Sequence, residues 1–74
     1  MQLVKSQKSE RIFYAFGAPF GIDYICAGNW GVFREFGKNR FYIRDTAFRS
    51  KEQAISFLEE IVEKYNSSII TALE

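Results

Sequence analysis

Three carboxylates, Asp23, Glu35 and Asp45, stand in segments that read as strands. Two carboxyl groups held at different pKa values are the smallest set that can do acid–base work. Little else in the chain could assist them. It has no histidine and a single cysteine, Cys26, which reads as a small buried hydrophobe in mid-strand. That excludes histidine triads, thiol–imidazole dyads, Cys/His zinc sites and a disulfide framework within the chain. A domain of 74 residues also has little room for an enclosed cleft that would tune two carboxylates apart. Gly28-Asn29-Trp30-Gly31 lacks the strand-to-helix context of a phosphate-binding loop. Asn66-Ser67-Ser68 spells a glycosylation acceptor with no secretion signal to accompany it. The sequence therefore points to no catalytic residue, metal ligand or cofactor, and to a binding protein rather than an enzyme.

Aromatic residues carry the remaining signal. Eight Phe, four Tyr and one Trp make up 18% of the chain, while ten basic and nine acidic side chains leave a net charge of +1. A short domain without disulfide or metal must fill its core with large rings or self-associate. No apolar run approaches the ~20 residues of a membrane span. With one cysteine and no signal-like start, the expected location is the cytoplasm.

The elements that must position these side chains follow from local pattern. Residues 1–10 frame an edge strand or a loose arm. Strands are expected over 11–16, 22–27, 32–36 and 40–45, from their β-branched and aromatic content. Gly17-Ala18-Pro19-Phe20-Gly21, Gly28-Asn29-Trp30-Gly31 and Gly37-Lys38-Asn39 separate them as turns. Ser50 and Gln53 have capping-box spacing. Beyond them Ala54, Ile55, Leu58, Ile61, Val62 and Tyr65 repeat on one helical face, with Glu52, Glu59, Glu60 and Glu63 on the other. Asn66 is expected to close that helix. Residues 66–74 form an apolar tail: a last edge strand, a half-turn of helix or a dimer contact. The fold class is α+β, a single domain with a four-stranded antiparallel meander packed on one C-terminal helix.

One helix covers one sheet face and leaves the other open. In the last strand Phe41 and Ile43 oppose Arg40, Tyr42 and Arg44, because side chains alternate. Placing Phe33, Phe41 and Ile43 under the helix leaves Arg34, Phe36, Arg40, Tyr42 and Arg44 on the open face, with Phe13 and Trp30 at its edges. Rings and guanidinium groups are enriched where proteins bind partners. The same groups suit base stacking, and strand-face arginines also pair with carboxylates such as Glu35, Asp23 or Asp45. The expected partner is a protein or a protein–nucleic acid complex. Direct nucleic-acid binding and a homodimer through the same face stay open.

Residues Ile43 to Gln53, following an antiparallel meander, resemble the layout of small phage-encoded anti-CRISPR proteins, where a helix is opened by a Phe-x-Ser/Thr-x-Glu element. Here Phe48, Ser50 and Glu52 supply it. The resemblance implies an inhibitor that occludes a protein or nucleoprotein complex without chemistry of its own. The segment Phe48 to Ala54 is also similar to the helix start of the integrase-arm type of three-strand-plus-helix DNA-binding domain. That likeness implies that Arg34, Arg40, Tyr42 and Arg44 read a DNA groove. Near-neutral charge and an acidic helix weigh against it.

Overall fold

A computed structural model describes residues 2–43 and 47–73, with side chains described through residue 68. Five antiparallel strands form one sheet in the order β1-β2-β3-β4-β5, and one C-terminal helix packs on it. The strands are β1 (Leu3–Lys5), β2 (Ile12–Ala15), β3 (Phe20–Cys26), β4 (Asn29–Phe36) and β5 (Asn39–Tyr42), and the helix is α1 (Lys51–Leu73). The α+β meander is as expected. The fifth strand is the segment left open as arm or edge: Leu3 pairs with Ala15 and Lys5 with Phe13.

Turn chemistry sets the registers. Ala27 and Gly28 both have positive φ, 51° and 81°, in the two-residue loop between Cys26 and its partner Asn29. Positive φ at both central positions matches the right-handed twist of the flanking strands. Asn29, Trp30 and Gly31 therefore belong to β4 rather than to a turn. Gly37, at φ 60°, opens a second two-residue loop that sets Phe36 opposite Asn39. Cys26 is exposed at the end of β3, not buried in mid-strand.

The core lies between the sheet and α1. Ala15, Phe20, Ile22 and Val32 meet Ala54, Leu58 and Val62, with Ile55, Ile61 and Tyr65 packed around them. Each large side chain so buried contributes about 1.5–3 kcal/mol. Ser50 caps the helix, its Oγ accepting from the Gln53 amide at 3.2 Å. Asn66 does not end it; α1 continues through Leu73, so the tail is helical. A helix of 23 residues spans about 34 Å and outruns the sheet. Phe48 leads into it from a two-way backbone bridge with Trp30. No helix among the described residues is long and apolar enough to cross a membrane.

Candidate partner-binding face

The two-residue Gly37-Lys38 loop decides which side chains share a face. With Phe36 opposite Asn39, Arg34 pairs with Phe41 and Phe33 with Tyr42. The strand β4 is thus turned over relative to expectation. Arg34 and Phe36 lie on the helix side with Phe41, while Phe33 lies on the helix-free side with Glu35, Arg40 and Tyr42. Phe13 and Trp30 are also on the helix side, their rings 6.3 Å apart, with the Lys51 ammonium 3.7 Å from the Phe13 centroid. Of the seven expected site residues, the helix-free face holds Arg40 and Tyr42. Arg44 lies outside the described residues. Phe41 does not enter the core; it stays 54% exposed at the sheet edge, while Ile43 packs against the core.

The centre of the helix-free face is built on Phe33, which is 0% exposed although no helix covers it. Its ring lies across Gly21, the residue opposite it on β3, where a Cβ would overlap the ring. Tyr14 and Tyr42 stand edge-on to it at 5.7 and 6.0 Å. The Arg40 guanidinium closes the top at 4.4 Å from the ring centroid. One Arg40 nitrogen, Nη2, donates to Tyr14 Oη at 2.9 Å and to Glu35 Oε1 at 3.1 Å. Tyr42 Oη donates to Asp23 Oδ2. Gly31 lies beneath the Ile25 side chain and close to Tyr42, so two glycines on neighbouring strands admit rings and methyls from either side.

Electrostatics tie these groups together. Burial raises the Tyr14 phenol above its ordinary pKa, with Glu35 adding to the rise and Arg40 opposing it. Tyr42 is raised by burial and then by its hydrogen bond to Asp23. For Arg40, burial disfavours the charge, but the hydrogen bonds to Glu35 and Tyr42 outweigh it and its pKa rises. Asp23, Glu35 and Arg40 are the ionisable acid and base groups around the platform, and Arg11 borders it beside Asp23, so the described face is near neutral rather than basic. Beside Tyr42 lies a shallow depression of about 440 Å³ lined by residues including Arg11, Ile12, Asp23 and Ile25.

Arg34 has a different setting. Its guanidinium lies 4.5 Å from the Phe36 centroid and 5.3 Å from that of Phe20, on the helix side. It covers the end of the core and does not line the open face. Sequence reasoning missed Tyr14, Ile25 and Phe33 as members of the open face. A usable signal existed in the Gly37-Lys38 pair, since a two-residue loop fixes every later facing pair. Among the described residues no cluster of three acidic or thiol side chains could hold a metal ion. Set against family models, curated proteins and solved structures, the chain matches none of them.

Proposed function

We propose that this chain is a non-enzymatic binding domain that docks on a protein through its helix-free sheet face. The observation that carries this reading is the Phe33 platform. A wholly buried ring, two tyrosines and a guanidinium are locked together on a face that no other element among the described residues covers. Locked Tyr and Arg side chains lose little entropy on binding, which is what interface anchors require. Half-exposed Tyr42 (47%) and Ile25 (46%) flank the depression beside it and supply apolar contact area. Asp23 and Glu35 serve as hydrogen-bond acceptors, Glu35 for Arg40 and Asp23 for Tyr42, which supports a binding role over a catalytic one.

A near-neutral face whose platform cation, Arg40, is paired to Glu35 favours a protein surface over a phosphate backbone. The finer form of the proposal is inhibition of a host protein or nucleoprotein complex by occlusion. It draws on the sequence resemblance around Phe48, Ser50 and Glu52 alone.

The test is capture from host lysate, with and without nuclease, by the wild type, by Ile25→Glu and by Glu59→Lys on the exposed helix side. A nuclease-resistant partner lost by Ile25→Glu and retained by Glu59→Lys supports the reading. Retention by a folded Ile25→Glu variant would sink it. Binding of a plain oligonucleotide that weakens steeply with salt would move the function to nucleic acid.

A further inference from the structure

We propose that β5 is a self-association edge, through which two copies join antiparallel into one continuous ten-stranded sheet. The contact is made by the backbone rim of the sheet, while the Arg40 and Tyr42 side chains that it brings opposite each other belong to the helix-free face. Backbone direction comes first. The Ile43 amide donates to the Val32 carbonyl at 2.9 Å, and hydrogen-bonded pairs alternate along an antiparallel ladder. Asn39 and Phe41 therefore turn their amide and carbonyl groups toward β4. Arg40 and Tyr42 turn theirs outward, and β5 is the last strand of the sheet.

The two sheet edges are defended unequally. At the far edge, β1 has three residues and ends on Lys5, a short and charged strand of the kind that discourages pairing. The four-residue β5, Asn39-Arg40-Phe41-Tyr42, has no proline or acidic residue, and its one charge, Arg40, is paired to Glu35. The helix packs across β3 and β4, leaving Phe41 (54% exposed) and Phe36 (52%) edge-to-face beside the rim at 5.5 Å.

Charge selects the register. A two-fold axis that sets Arg40 against Arg40 of the second copy opposes two guanidinium groups, which is unfavourable. An axis through Phe41 sets Arg40 against Tyr42 of the second copy instead. The outward donors and acceptors then face one another, and the two Phe41 side chains meet in a non-hydrogen-bonded pair on the helix side. At about half exposure, Phe36 and Phe41 hold on the order of 200 Å² of free ring surface per copy. Even with the strand backbones this falls below the ~1,200 Å² of a standard stable interface, so the dimer belongs to the weak, concentration-dependent class.

Sedimentation equilibrium from about 10 μM to 1 mM tests this. The expected result is a monomer–dimer equilibrium that Phe41→Glu weakens at least about tenfold, because it places two carboxylates face to face. In a Cys26→Ser background, Phe41→Cys is expected to form a disulfide dimer on mild oxidation, since facing Cα atoms in such a pair lie about 4.5 Å apart. Ile25→Cys, of similar accessibility but on β3 and not on the rim strand, is the control. A monomer throughout the range overturns the proposal. So does a dimer that survives Phe41→Glu in a folded chain, or one that crosslinks as readily at Ile25. If Phe41→Glu fails to fold, the Phe41→Cys and Ile25→Cys comparison decides.

Discussion

Gly21 and Gly31 lie on the same face of adjacent strands, and replacing each with alanine tests how the Phe33 platform is built. At Gly21 a new Cβ would overlap Phe33 Cζ and stand 2.6 Å from the Phe13 carbonyl oxygen. Moving the ring relieves only the first obstruction, and the ring is wholly buried beneath Tyr14, Tyr42 and Arg40. Overpacking costs typically about 1–3 kcal/mol, and a backbone obstruction puts Gly21→Ala near 3 kcal/mol. In a domain of this size that lowers the thermal midpoint by about 12–24 °C. At Gly31 the nearest atom is the Ile25 Cδ1, at 2.6 Å, the tip of a half-exposed flexible side chain. Rotating it is cheap, and alanine gains roughly 0.5–1 kcal/mol over glycine in a strand. Gly31→Ala should therefore stay within about 1 kcal/mol of wild type. Thermal and urea unfolding followed by circular dichroism measure both. Equal effects at the two sites, or a neutral Gly21→Ala, would refute the placement of Phe33 over Gly21.

Two further outcomes follow from local geometry. Ala27 holds a φ of 51°, a conformation asparagine and glycine tolerate far better, so Ala27→Asn should stabilise the fold by about 1 kcal/mol in urea titration. The Tyr14 and Tyr42 phenols are raised in the folded chain, by burial first and then by Glu35 and Asp23 respectively. A raised folded pKa means that the native state holds these protons more tightly than the unfolded one. Their contribution is complete below the ordinary phenol pKa of about 10 and is lost as pH rises through the folded values. Absorbance titration at 295 nm should show part of the tyrosine signal ionising later in native than in urea-unfolded protein, with stability falling above about pH 10. A native titration that coincides with the unfolded one would contradict the hydrogen-bonded placement.

Much of this protein is written in its local pattern. Ser50 and the run from Ala54 to Tyr65 fix where the helix begins and which stripe it buries, because capping and a 3.6-residue period act within one element. The antiparallel meander is legible from strand-like runs separated by glycine turns, and Phe41 and Ile43 oppose Arg40 and Tyr42 by alternation alone. The phase of β4 is different in kind. Val32, Phe33 and Phe36 put apolar groups on both sides of the strand, so its own sequence does not say which side is inward. Counting Gly37-Lys38-Asn39 as the connection shifts the pairing by one residue and turns the whole strand over. Only the contact of Val32 with Ile22 and the helix, together with the two-residue loop, settles it. That choice sends Arg34 and Phe36 beneath the sheet and brings Phe33 up to meet Gly21, Tyr14 and Arg40. The platform is a product of tertiary packing, because the space it fills exists only once four strands, β2 to β5, lie side by side.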